Sequence, residues 1–174
     1  MRVFHIRHLL CGAAAAIVVV APVRAQSTTT VAVPAIDAAG LKKQVAARKG
    51  KIVVVNLWAL WCGPCVKEYP ALVKFGNAQA KRGVELVTVS FDTPKRDAAK
   101  VAAFVKKNGQ KRGAFINGAG LDPEGYPQYL DPKLPADSDF ALPRTYIFDR
   151  KGKLVKALTG EQSDASLAKA TAGL

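Results

Sequence analysis

The chain has 174 residues, 49% of them hydrophobic, with 26 basic against 13 acidic side chains and a formal net charge of +13. That length suits about one domain, and a chain this apolar can bury a core, which excludes intrinsic disorder. The lysines and arginines are spread along the sequence without interleaved aromatics. This argues against a nucleic-acid surface and for a solvated one that favours acidic partners or anionic lipid heads.

Residues 1–25 stand apart. Arg2, His5, Arg7 and His8 form a basic start, 9–23 is almost unbroken apolar, and Val23-Arg24-Ala25 offers a small-x-small cleavage site. This is the layout of a secretory signal peptide cleaved after Ala25. An uncleaved anchor is the alternative, but the apolar run falls short of the roughly 20 residues that span a bilayer. Cys11 does not read as a lipoprotein cysteine, because Leu10 is not small and most of the apolar stretch follows it. Cleavage would leave 149 residues with a charge of +10, no histidine or methionine, and Cys62 and Cys65 as the remaining sulfur ligands.

Residues 26–36 read as a flexible, Thr-rich lead-in, and residues 37–174 as one domain. Asp37 can cap a short helix through Leu41, Val45 and Ala46 that Gly50 ends. Residues 52–57 form a continuous apolar run, apart from Asn56, as in a parallel strand buried on both faces. A helix is expected from Cys62 to about Arg82-Gly83, kinked at Pro70. A second apolar strand spans 84–91, and Thr93-Pro94 opens a helix carrying Ala98, Val101, Ala102 and Val105, which Asn108-Gly109 stops. Residues 117–141 lose the apolar period and hold Pro123, Pro127, Pro132 and Pro135. Residues 144–148 and 154–158 then form an antiparallel hairpin about the turn 150–153, and a weak helix spans 164–172. The order α-β-α-β-α-loop-β-β-α, without repeats, gives one α/β sandwich with a mixed sheet.

The pair Cys62 and Cys65 carries the chemistry. A zinc half-site needs about four ligands, and the mature chain offers no further Cys or His. A structural disulfide across two residues closes almost no loop and stabilises little. Inert core thiols fit poorly with the oxidising compartment that an exported chain meets. Redox exchange fits best. A buried strand ending at Trp61 delivers Cys62 to a helix start, where unpaired N–H groups stabilise a thiolate, so Cys62 is expected to have a lowered pKa and to be the nucleophile. Cys65, near the same face, can resolve a mixed disulfide formed at Cys62. Gly63-Pro64 suits the first turn and stiffens it.

Trp58, Trp61, Cys62-Gly63-Pro64-Cys65, Pro70, Leu142-Pro143 before the strand RTYIFD, and the turn glycines Gly152 and Gly160 together carry a resemblance to the thioredoxin superfamily over about residues 38–172. The stretches VVNLWALWCGPCVKEYPAL and LPRTYIFDRKGKLV look most like its exported TlpA/ResA-type branch. The resemblance implies a thioredoxin-like sandwich, a central mixed β-sheet flanked by helices. It implies a cis Pro143 facing the cysteines, where neighbouring backbone pairs with a substrate peptide, and a redox-active Cys62–Cys65 disulfide. That branch also places a glutamate three residues after the second cysteine, here Glu68, which would raise a thiol's pKa or shuttle its proton. A solvated surface glutamate is the alternative. Two positions depart from the pattern. Asn56 stands where thioredoxin carries a buried aspartate, so Glu68 or water must take the proton. Arg144 stands where relatives often have Thr; it either sets a cation beside the thiols or points to solvent.

The Gly-Pro dipeptide resembles that of thioredoxin, at the reducing end of the scale. The expected function is a periplasmic thiol-disulfide reductase acting on disulfide-containing envelope proteins as a monomer. It would be kept reduced by a membrane electron donor, with cytochrome c maturation as a task the resemblance suggests. No cofactor, resident metal or nucleic acid is expected. The alternatives are a disulfide oxidase or isomerase, or a thiolate copper carrier. A peroxiredoxin is disfavoured because its Thr-x-x-Cys arrangement is missing around Cys62. Residues 117–141 hold five acids against Lys133, a charge of −4 beside +14 for the other mature residues. This segment is expected to border the cleft and select partners through Tyr126 and Tyr129, the alternative being a solvated loop.

Overall fold

The computed structural model describes residues 32–118, 130 and 141–174. The expected signal peptide, most of the expected lead-in, and most of segment 117–141 with Tyr126 and Tyr129 lie outside the described residues. In chain order the elements are β1 (Ala35–Ile36), α1 (Ala38–Ala46), β2 (Ile52–Trp58), α2 (Gly63–Gln79), a 3-10 turn (Ala80–Arg82), β3 (Val84–Ser90), α3 (Pro94–Lys107), β4 (Ala114–Asn117), β5 (Arg144–Phe148), β6 (Leu154–Thr159) and α4 (Asp164–Thr171). Among the described residues six strands form one mixed sheet in the order β1-β4-β3-β2-β5-β6.

All seven residues of β2 are buried, which explains their apolar run, interrupted at Asn56: a central strand covered on both faces has no polar side. β2 pairs parallel with β3, from Ile52↔Val84 to Trp58↔Ser90, and antiparallel with β5, from Val53↔Phe148 to Leu57↔Arg144. Its side chains alternate between two cores. Val53, Val55 and Leu57 join Tyr146 and Phe148 against Leu41 and Val45 of α1. On the opposite face, Ile52 and Val54 join Ile147 against Leu72 and Phe75 of α2 and Leu167 of α4. Trp58, closing the strand, packs with Tyr69 of α2 and Val101 and Val105 of α3. Among the described residues the sheet is thus flanked by helices α1 to α4, and the thioredoxin-like fold expected from the sequence is the fold observed.

The local signals act as their chemistry dictates. The Asp37 side chain accepts the Gly40 N–H at 2.6 Å and caps α1. Ser163 and Ser166 form a reciprocal capping box that starts α4, a signal that the sequence reading did not use. α2 runs on past Pro70, whose ring nitrogen supplies no hydrogen for the Val66 carbonyl.

Two expectations are corrected. Ala35–Ile36, assigned to the flexible lead-in, form a strand on the sheet edge, paired parallel with β4, itself unforeseen. Strands of two and four residues are too short to show a period; pairing alone defines them. The strand before the cysteines stops at Trp58 rather than Trp61, because residues 59–62 form a turn in which the Cys62 N–H donates to the Ala59 carbonyl at 3.2 Å.

Gly113 leads into β4 with φ +74°, and a Cβ there would lie 2.5 Å from the Leu86 carbonyl oxygen. Gly152, in the β5–β6 turn, has a similar φ of +80° with open space about it. Gly152→Ala is expected to cost about 1–2 kcal/mol for the left-handed backbone alone. Gly113→Ala must also displace backbone and should cost about 3–4 kcal/mol. Urea unfolding of the oxidised proteins checks both; equal costs would contradict the close approach at Gly113.

Candidate active site

The site is assembled where β2 ends. The Asp92 carboxylate, just past β3, accepts the Leu60 N–H at 2.8 Å and the Ser90 hydroxyl at 2.6 Å. The Phe91 N–H donates to the Trp58 carbonyl at 2.7 Å. These bonds hold the turn 59–62 against the neighbouring strand end and aim Cys62 at the start of α2. The sequence reading missed Asp92. Its only local signal was an acid following a buried strand, which is what many loops show.

Cys62 is the N-cap of α2, and its sulfur accepts the Cys65 N–H at 3.4 Å. A sulfur atom therefore occupies the place where capping oxygens usually satisfy first-turn donors. Cys62 and Cys65 are joined in a disulfide. Their surroundings differ: Cys62 retains 7% exposure and Cys65 none. Gly63 and Pro64 occupy the exposed first turn between them, and a side chain at Gly63 would meet nothing within 4 Å. Trp61 is 67% exposed. The site thus presents an uncrowded face on which Cys62 is the more exposed of the two cysteines.

Beneath the motif lies an aromatic floor. Trp58 and Tyr69 have ring centroids 4.4 Å apart, and each lies 5.1 Å from Phe104. The Tyr69 hydroxyl donates to the Gln110 side-chain carbonyl at 2.6 Å. Burial pushes the Tyr69 pKa above its ordinary value, with the Thr88 hydrogen bond a smaller opposing effect. This residue packs the site and carries no charge.

Glu68 is not the solvated surface residue that was the alternative; it is 2% exposed. One helical turn after Cys65, its Oε1 accepts from Asn56 Nδ2 at 2.8 Å and its Oε2 from the Gln162 N–H at 2.7 Å. Asn56 Nδ2 also donates to the Thr145 hydroxyl at 3.1 Å. Asn56, the departure at the thioredoxin aspartate position, therefore does not leave a gap; it holds Glu68. Desolvation by burial pushes the Glu68 pKa up to about 7, against the lowering effect of the hydrogen bonds from Gln162 and Asn56. Glu68 also lines a surface cleft of about 440 Å³ with Lys67, Glu161 and Gln162, so its proton can reach water.

The Leu142–Pro143 bond is cis. Arg144 pairs with Leu57, so Pro143 lies level with Trp58, beside the strand end that feeds the cysteines. Leu142 packs against the core group to which both cysteines belong. Arg144 matches neither expectation. Thr145 reaches Asn56 on the α2 side of the sheet, and alternation turns Arg144 to the opposite face. There it is buried near Tyr146, neither beside the thiols nor in solvent.

Comparison with known proteins agrees with this geometry. The model of the AhpC/TSA family matches residues 25–158. The thiol-disulfide oxidoreductase ResA of Bacillus thuringiensis subsp. konkukian is 30% identical over 131 residues, covering 75% of this chain and 68% of its own length. A thioredoxin-related protein from Neisseria meningitidis serogroup B is similar in structure at a TM-score of 0.51 and 31% identity, covering 70% of this chain and 83% of that one. A DsbF homologue from Corynebacterium diphtheriae shares the fold at a TM-score of 0.59 and 23% identity, covering 75% and 76%.

The Glu68 carboxyl links stability to pH. Its folded pKa of about 7 lies above the ordinary 4.5, so folding takes up a proton between these values. The stabilisation is complete below about 4.5 and lost as pH rises through about 7, a change of about 3 kcal/mol at most. Glu68→Gln preserves the hydrogen bonds if the Asn56 amide turns over. It should therefore make stability between pH 5 and pH 8 flatter by about 2–3 kcal/mol, measured by denaturant unfolding of the oxidised protein. Parallel curves for the two proteins would rule out the raised pKa.

Proposed function

The chain belongs to the AhpC/TSA family and is a thiol-disulfide oxidoreductase, and on that premise we propose that it is an exported, periplasmic reductase of protein disulfides. The observation that carries this reading is Cys62 at the N-cap of α2, its sulfur accepting a first-turn N–H and the residue more exposed than Cys65. The Gly63-Pro64 dipeptide supports the reducing direction. The leader-like composition of residues 1–25 supports export. A membrane electron donor would restore the dithiol, and cytochrome c maturation is the task that the likeness to ResA-type proteins suggests.

In the reduced enzyme, helix-terminal N–H groups stabilise the Cys62 thiolate. It attacks one sulfur of a substrate disulfide; that S–S bond breaks, and the departing substrate thiolate takes a proton from water. Substrate and enzyme are then joined through Cys62. Cys65 gives up its proton, with Glu68 one turn away as the acceptor, directly or through one water. Its thiolate attacks the Cys62 sulfur and expels the second substrate thiolate. Two electrons pass to the substrate, and the enzyme is left as the Cys62–Cys65 disulfide seen in the structure. A carboxyl with a pKa of about 7 suits both taking and releasing that proton near neutrality. Trp61, Gly63 and the Pro143 segment would shape the surface on which the substrate peptide lies.

Cys65→Ser should keep the attacking sulfur but accumulate reductant-sensitive adducts with envelope proteins, identifiable by mass spectrometry, whereas Cys62→Ser should accumulate none. A few discrete partners support a dedicated reductase; a broad smear points to the oxidase or isomerase reading. Trapping by both variants alike, or by neither, contradicts the assigned roles. Glu68→Gln should slow release of the mixed disulfide about a hundredfold and remove its pH dependence near 7, read by rapid quenching. An unchanged release rate excludes Glu68 from the proton transfer.

A further inference from the structure

The basic residues that look scattered in sequence converge in space. β1, β2, β3 and β4 run parallel, so the segments leading into β2, β3 and β4, together with the β5–β6 turn, meet at the end of the sheet opposite the cysteines. Residues 48–51, 80–85, 106–112 and 149–153 hold twelve basic and two acidic side chains, while the other described residues hold ten and six. Hydrogen bonds tie these segments together. Arg150 donates to the Gly50 carbonyl at 2.9 Å and the Arg82 carbonyl at 3.0 Å. Glu85 pairs with Arg48 at 3.1 Å and reaches Arg112 at 4.0 Å.

We propose that this basic end is a docking surface for an anionic lipid bilayer, which holds the protein with its Cys62–Cys65 face turned away from the membrane. Two observations favour lipid over other polyanions. First, Arg48 and Arg150 are engaged within the protein, so the free charge is mostly lysine: exposed, mobile point charges that suit a diffuse anionic surface better than bidentate recognition. Second, none of the four segments contains an aromatic side chain on which a nucleic-acid base could stack. The orientation also has a consequence for exchange. A donor embedded in the membrane must reach around the domain or extend beyond it, while partners in the aqueous phase meet Cys62 directly.

The test uses the full chain and vesicles of phosphatidylcholine with and without phosphatidylglycerol. Lys49, Lys81 and Lys151 are exposed, and the ammonium group of none is hydrogen-bonded or ion-paired to another described residue. Replacing all three with Gln should lower binding to anionic vesicles roughly a hundredfold at low salt and leave insulin reduction intact. The same loss of charge at Lys67, Lys95 and Lys100, toward the cysteine end of α2 and the start of α3, should lower it far less. Brominated lipid should leave the fluorescence of exposed Trp61 unquenched in the bound protein. Equal binding by wild type and the first variant, equal losses in both variants, or quenching of Trp61 would overturn the proposal. So would tighter binding to duplex DNA or polyglutamate than to anionic vesicles.

Discussion

A carboxyl group buried between two strands and two helices governs the arrangement of this molecule. Glu68 belongs to α2, but its oxygens are held by Asn56 of β2 and by the backbone N–H of Gln162 ahead of α4. Asn56 in turn reaches Thr145 of β5. A buried carboxyl without such donors would be severely penalised. These four segments therefore cannot shift independently, and the helix that carries both cysteines is locked to the sheet centre one turn below them. The same burial that makes the group expensive raises its pKa into the range where it can exchange a proton. Rigidity and acid–base capacity have one origin.

The cysteines depend on a second, smaller constraint. The turn 59–62 carries no regular structure, and its direction is set by Asp92, which takes the Leu60 N–H while braced by Ser90. With Trp58 wedged against Tyr69 and Phe104 beneath it, the strand end has little freedom. Cys62 therefore arrives at the helix start with its sulfur already in the capping position. A site built this way need not reorganise when charge appears on the sulfur, which is the advantage of preorganised donors.

Charge is arranged on a larger scale than any of these contacts. The end of the sheet bearing the disulfide exposes an aromatic side chain and a glycine-proline turn, while the opposite end exposes most of the excess positive charge. Parallel strand topology produces the separation. Loops that precede parallel strands must lie together at one end and loops that follow them at the other, so a basic residue in each preceding loop adds to a single surface.

Much of this was legible in the sequence because it rests on local rules. Residues 52–57 of β2 read as an apolar run apart from Asn56, Asp37 and Thr93-Pro94 marked helix starts, and two cysteines separated by Gly63-Pro64 at a strand-to-helix junction specified thiol chemistry through the geometry of one helical turn. Tertiary structure alone decided what depends on neighbours distant in sequence. Ala35–Ile36 and Ala114–Asn117 became strands by pairing with partners, not by any period of their own. Glu68 became buried because Gln162, 94 residues away, closes over it, and Asp92 became a support for the cysteines because β3 lies beside β2. Arg144 was turned from the thiols by strand alternation, which depends on register. Spacing along the chain determines which groups can share one turn or one strand face. Only packing determines what lies against them, and that contact sets burial, charge and role.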